Sequence, residues 1–415
     1  MSKDKYILLL KKASPKNPTR IQNELNIRLT SSKELNSNVR AQDIFDSDSG
    51  ILFKNLGIAV AENIEESKLE RITSKSALVL HWEKERQFGI SSELNYISKI
   101  KDLSLELHQN LVQLADFIEK KQNTVLHEAT WGLKAVNLTS NQFTGKGVKI
   151  AILDTGFYID HPDFSAREIF GTSFISGEQW KEDYNGHGSH CTGIALGNVS
   201  SDGKRYGVAK NGSILIGKVL DDLGNGNSSS IIDGIDWALE KGAKIISMSF
   251  GAPTAIGERP SVIFESIGKR ALEQNCLLIA AAGNHSNRKQ KMPRPVSCPA
   301  NSSSIMAVSA LDENLKVADF ANAGLHPTEG GQVDLAAPGV QIFSSYSATA
   351  SNNKLYKKMN GTSMATPFVS GLAALYWEAF PEASARKIWS MLVENAKKID
   401  NQDFRDIGSG LVQAL

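Results

Sequence analysis

Val148-Lys149-Ile150-Ala151-Ile152-Leu153-Asp154-Thr155-Gly156 is an apolar run, broken only by Lys149, that ends on a carboxylate and a glycine. Runs of the same kind follow at Ile214–Leu220, Lys244–Met248 and Leu277–Ala282. A strand with one wet face alternates apolar and polar residues. These do not alternate, so each is expected to be buried on both faces. Helical stretches such as Ser230–Lys241 lie between them. Strand and helix in turn build a parallel sheet, so the expected fold is α/β, a doubly wound parallel sheet flanked by helices. Sites in such sheets lie beyond the carboxyl ends of the strands, where Asp154 stands.

Outward from this core the character changes. The chain has 415 residues, enough for two or three domains and a large buried core. Up to about Gly89, Tyr6–Leu10 and Ile51–Ala61 are rich in Ile, Leu and Val, and Ala77–Trp82 resembles a third strand. Glu65–Ser74 carries Leu69 and Ile72 on one face and reads as a short helix. Residues 1–89 therefore suit a small α+β module. From Ile97 to Gln122, Ile100, Leu103, Leu107, Leu111, Leu114 and Ile118 recur at helical steps, so 90–127 reads as a helical linker ahead of a domain over 128–415.

Composition narrows the partners. Lys and Arg total 46 against 45 Asp and Glu, with no long basic run. Neither nucleic acid nor an anionic membrane is the expected partner. The start, Met1–Lys12, has too short an apolar run for a signal-peptide core, and no stretch of about eighteen apolar residues exists. Cys191, Cys276 and Cys298 are too few and scattered for a disulfide framework. A cytoplasmic setting is expected.

Three motifs carry chemistry. Asp154 ends the first strand; alone it would be a turn-capping acid. His187 lies in Asn185-Gly186-His187-Gly188-Ser189-His190, between glycines that let backbone approach, at the start of a helical rhythm. Ser363 lies in Asn360-Gly361-Thr362-Ser363-Met364-Ala365-Thr366-Pro367 and opens a helix with Pro367 in its first turn. A serine there gains from the helix dipole but needs a base to take its proton. Acid, imidazole and hydroxyl thus occur in the order Asp, His, Ser, one of three known triad orders.

On these motifs the chain resembles the subtilisin-like serine peptidases, the subtilases, over roughly Trp131 to Leu415. A fourth motif, Ala280-Ala281-Ala282-Gly283-Asn284, strengthens the likeness. The resemblance implies that Ser363 attacks a peptide carbonyl, His187 moves the proton, Asp154 orients His187, and Asn284 with the Ser363 N–H holds the oxyanion. It also implies that a substrate strand adds between Leu223-Gly224-Asn225-Gly226 and Ser249-Phe250-Gly251, with Ala281-Ala282-Gly283 completing the first pocket. Ser228 stands where many relatives carry an aromatic, implying an open distal site. A module of the size of residues 1–89 ahead of such a domain implies an inhibitory, folding-assisting prodomain.

Other positions are read more plainly. His190, His161 and His285 are expected to be structural, and Cys191 an inert buried thiol rather than a rival nucleophile. The basic stretch His285–Lys291 is a solvated loop or a preference for acidic substrates. Asp163 matches a position that often ligates calcium in the family, whereas Gly197–Gly203 lacks a clear run of oxygen ligands. No cofactor is required for the chemistry, and structural calcium stays open. Polypeptide substrates and the chain's own N-terminal module are the expected partners. Two narrower readings stand beside this one: a maturation protease for one precursor, and a peptide-binding regulator without turnover. The regulator would lack a triad or oxyanion residue, and all four are present.

Overall fold

The computed structural model describes residues 4–11, 22–23, 25, 27–32, 49–75, 78–90, 128–139, 142–325, 330–351 and 353–415. The helix expected over 97–122 lies outside them. The N-terminal part folds as β1 (Lys5–Leu10), β2 (Arg28–Ser31), β3 (Ser49–Phe53), β4 (Ile58–Glu62), helix α1 (Glu66–Lys75) and β5 (Val79–Lys84). These strands form one sheet in the order β2-β3-β4-β1-β5. The block Ile51–Ala61 is two strands, not one. Residues 54–57 turn the chain back so that Phe53 faces Ile58, and Gly57 sits at φ +57°, a conformation glycine adopts without steric cost.

The two faces of this sheet do different work. Leu8, Leu52 and Ala61 meet Leu69 and Ile72 of α1 in a small core of their own. Ile7, Leu9, Ile51, Phe53, Ile58 and Val60 face the other way, into a core shared with the rest of the molecule. A short strand, β6 (Gln87–Gly89), follows.

Seven strands then form the central sheet: β7 (Lys149–Asp154), β8 (Ile169–Ser173), β9 (Ser213–Lys218) and, after the short separate β10 (Asn225–Asn227), β11 (Ile245–Met248), β12 (Leu277–Ala281), β13 (Met306–Leu311) and β14 (Leu335–Pro338). Their order is β14-β13-β12-β11-β7-β9-β8, and every neighbouring pair is parallel. The doubly wound α/β expectation holds, including burial of both faces. Ile150 and Ile152 enter a core with α2 (His187–Leu196) and α5 (Thr362–Ala379). Ala151 and Leu153 enter the opposite core with α3 (Ser228–Glu240) and α4 (Val262–Glu273), the core that also receives the N-terminal sheet. Helix α5 is buried from Thr362 to Trp377, as a helix apolar all round must be. A hairpin of β15 (Ile342–Ser345) and β16 (Tyr356–Met359) leads into it.

Candidate active site

Three element ends converge. β7 delivers Asp154 at its carboxyl end, α2 begins on His187, and α5 begins one residue before Ser363. His187 Nδ1 lies 2.7 Å from Asp154 Oδ1, and both side chains are buried. The approach of α2 to the strand end needs a glycine: a Cβ at Gly188 would lie 2.2 Å from the Gly156 carbonyl oxygen.

A second layer of residues, which no sequence motif announced, fixes this meeting. Thr155 Oγ1 donates to Asp183 Oδ1 (2.8 Å) and accepts from the Gly188 N–H (2.9 Å). Asp183 in turn accepts from the N–H groups of Gly186 and Ser189, capping the start of α2. Lys218, fully buried at the end of β9, donates to the Thr155 carbonyl (2.6 Å) and pairs with Asp222 (2.8 Å) and Glu178 (3.0 Å). The clue was a lysine inside an apolar run, since a buried ammonium requires such partners.

The electrostatics set one imidazole apart from the other. Burial lowers the pKa of His187, but the charge and hydrogen bond of Asp154, with Cys191 beside the ring, together leave it well above the ordinary histidine value. Burial pushes His190 down to about 3, so it stays neutral and donates from Nε2 to the Ile342 and Lys357 carbonyls. His161 likewise bonds Leu355 O (2.8 Å). Both are scaffold residues.

Pro367 is the sixth residue of α5, not in its first turn. Lacking an N–H, it leaves the Ser363 carbonyl without its helical partner. Ser249 Oγ (2.9 Å) and the Cys191 thiol (3.5 Å) take that carbonyl instead. The Ser363 hydroxyl donates back to Ser249 O at 2.9 Å. His187 Nε2 is buried with no partner among the described residues, so the serine–histidine contact is unmade in this state. Cys191 lies 3.8 Å from Nδ1, the nitrogen already engaged by Asp154, and burial pushes its thiol pKa up, which makes it a poor nucleophile. Asp154, His187 and Cys191 bring ligand-type atoms within 4.8 Å of one another, but the first two already bond each other and the thiol keeps its proton.

Asn284 accepts the Thr362 N–H and hydroxyl through Oδ1, both at 2.8 Å, which turns its amide nitrogen outward. That nitrogen and the Ser363 backbone nitrogen are neighbours at Gly361, 3.3 and 3.5 Å from where a Cβ on that glycine would stand. Ala281, Ala282 and Gly283 leave β12 beside Ser249-Phe250-Gly251, which leaves β11, and Gly251 and Gly283 both abut Ser297. Leu223 is 83% exposed at the rim.

The segments expected to bind a substrate strand already hold one. β6 pairs antiparallel with β10, Phe88 opposite Gly226 and Gly89 opposite Asn225. On its other edge Gly89 exchanges both backbone hydrogen bonds with Gly251 (3.2 and 3.1 Å), and the Ile90 N–H donates to Gly224 O (3.0 Å). Phe88 is buried edge-on against Phe250 and Phe264. Ser228 is buried beneath this strand and accepts the Arg86 N–H on its hydroxyl. Arg288, in the basic stretch, is committed to Asp406 (2.8 Å) and the Ala321 carbonyl, while Lys289 beside it is 85% exposed.

Comparison with known proteins agrees with this geometry. The model of the Subtilase family matches residues 145–410. Subtilisin DY of Bacillus licheniformis is 33% identical over 68% of this chain and 94% of its own, and Subtilisin Savinase of Lederbergia lenta 36% over 68% and 96%. The Major intracellular serine protease of Bacillus subtilis (strain 168) is 34% identical over 67% and 84%. The crystal structure of a cold adapted subtilisin-like serine proteinase superposes with a TM-score of 0.57 at 29% identity, over 69% of this chain and 99% of that one. The chain belongs to the subtilase family and is a subtilisin-like serine endopeptidase.

Proposed function

We propose that the enzyme is a zymogen in which residues 1–89 form an inhibitory prodomain, 90–127 a linker and 128–415 the peptidase domain. The observation that carries this reading is the strand Gln87–Ile90, hydrogen-bonded on both edges in the cleft a substrate would use. Two carboxylates support it. Glu83 accepts from Ser261 Oγ (2.7 Å) and the Ile263 N–H (3.3 Å) at the start of α4. Glu85 accepts the N–H (3.2 Å) and hydroxyl of Ser229 at the start of α3. Each offers negative charge to a helix N-terminus, and the apolar face of the N-terminal sheet packs against the same two helices.

In the mechanism assigned here the Ser363 hydroxyl turns from Ser249 O to His187 Nε2, and its oxygen attacks the substrate carbonyl as the proton moves to the ring. Asp154 holds Nδ1–H and stabilises the imidazolium, while Asn284 Nδ2 and the Ser363 N–H receive the oxyanion. The ring then gives the proton to the leaving amine, and water repeats the steps on the acyl-enzyme. Asn284→Ala is expected to lower kcat by about 10²–10³-fold with KM little changed, a size borrowed from the corresponding loss in subtilisin. Steady-state kinetics on a chromogenic peptide checks it.

A cytoplasmic location fits three buried free thiols, Cys191, Cys276 and Cys298, and a relative named as an intracellular protease. Among the described residues no helix is long and apolar enough to cross a membrane. The initial rate of freshly purified full-length chain tests the zymogen reading. Glu83→Gln with Glu85→Gln is expected to raise it roughly 10- to 100-fold, since each cap is worth about 1 kcal/mol and 1.4 kcal/mol is tenfold. A wild-type chain as fast as one lacking residues 1–90 would sink the reading.

A further inference from the structure

We propose that a pair of tyrosine hydroxyls holds Asp163 in place of a cation, and that this corner of the fold needs no calcium. Asp163 lies in the short turn Pro162–Phe164, at the position the family likeness offers to a metal. Calcium takes six to eight oxygens at about 2.3–2.6 Å, so a usable carboxylate must be surrounded by further oxygens turned toward it. Here both carboxylate oxygens face hydroxyl donors. Tyr206 Oη donates to Oδ2 at 2.6 Å, and Tyr356 Oη donates to Oδ1 at 2.8 Å while accepting the Ser201 N–H at 3.0 Å.

The loop after α2, which would have to supply the remaining ligands, engages several of its oxygens within itself. Asn198 O accepts from the Tyr206 N–H, Ser200 O from the Gly203 N–H, and Lys204 O from the Ser200 N–H. Its carboxylate, Asp202, is taken by Lys204 Nζ at 2.7 Å and by the Ser200 hydroxyl. A positive charge is also present already: the same Lys204 ammonium sits 5.2 Å over the Phe343 ring. The donor set does not fit the ion.

What the tyrosines supply instead is a packed joint. Tyr206 is buried, Tyr356 stacks on Phe343 at 5.3 Å, and His161 meets the Tyr356 ring edge-on at 5.3 Å. Three chain segments are thereby joined: the turn at Asp163, the loop after α2, and β16, which runs on into Gly361 and Ser363. Hydrogen bonds to an ionised carboxylate are among the stronger kind, so rigidity at this corner is bought by protons and aromatic contact rather than by a metal.

The test uses the full chain carrying Ser363→Ala, so that it cannot digest itself, melted in millimolar calcium and in EDTA. The parent is expected to melt alike in both, and Asp163→Asn to show the same indifference. Tyr206→Phe and Tyr356→Phe should each lower Tm by about 2–4 °C in either buffer, without rescue by calcium. Calorimetric titration of calcium into parent and Asp163→Asn gives a second reading that does not depend on how well the tyrosine variants fold. Equal heats support the proposal. Calcium binding or calcium stabilisation that is present in the parent and lost in Asp163→Asn overturns it.

Discussion

Replacing Ser363 by alanine is expected to reduce kcat by about 10⁶-fold, the order seen when subtilisin itself loses its nucleophile. The reason is local. The hydroxyl removed is the one group that can carry an acyl intermediate, and neither neighbour can stand in for it. Cys191 sits beneath the wrong ring nitrogen with its thiol pKa pushed up by burial. The residual rate, about 10³-fold over water, would come from the oxyanion donors and substrate binding, which the change leaves in place. The fold should survive. The side chain's one hydrogen bond among the described residues, to Ser249 O, is worth about 1 kcal/mol net, or about one degree in Tm. Alanine also favours the helix that begins there. Single-turnover hydrolysis of a chromogenic peptide, beside a melting curve, separates lost chemistry from lost structure.

Asp154→Asn is expected to cost about 10⁴-fold in kcat and to change the pH dependence in a defined direction. In the parent, Asp154 helps hold the His187 pKa above its ordinary value despite burial, so the acid limb of kcat/KM lies above that of an ordinary histidine. Without the carboxylate, burial dominates and the limb moves to lower pH. The stability effect has the matching sign. A histidine whose folded pKa is raised contributes stability that is full below its unfolded value of about 6.5 and is lost as pH rises through the folded value. The variant's deficit in Tm should therefore be largest below about pH 6.5 and shrink toward alkaline pH. A deficit independent of pH would mean that Asp154 acts only by packing.

The central sheet was legible because burial on both faces removes alternation, and Val148–Leu153 shows that directly. The site was legible where chemistry demands rare local settings, such as an imidazole between glycines or a serine opening a buried helix. Support residues were not. Thr155, Asp183 and Lys218 are joined by hydrogen bonds across 28 and 63 positions of chain; Lys218 stands out inside its apolar run, but nothing in the neighbours of the three marks which residues pair. The split of Ile51–Ala61 into β3 and β4 was carried only by Lys54, Asn55 and Gly57 inside an otherwise apolar block. Hardest to read was Gln87–Gly89. Three residues ending in glycine carry no strand signal, and their extended form comes from the two edges they lie between.

Intact mass of the purified chain, followed over hours beside its Ser363→Ala variant, tests most directly whether this peptidase is held by its own strand and opens itself. The wild type alone should lose an N-terminal fragment cut beyond Ile90, and its rate on a small peptide should rise in step with that loss. If both proteins stay whole while the wild type hydrolyses peptide at a full and constant rate, Gln87–Ile90 does not restrain the cleft and the account is wrong.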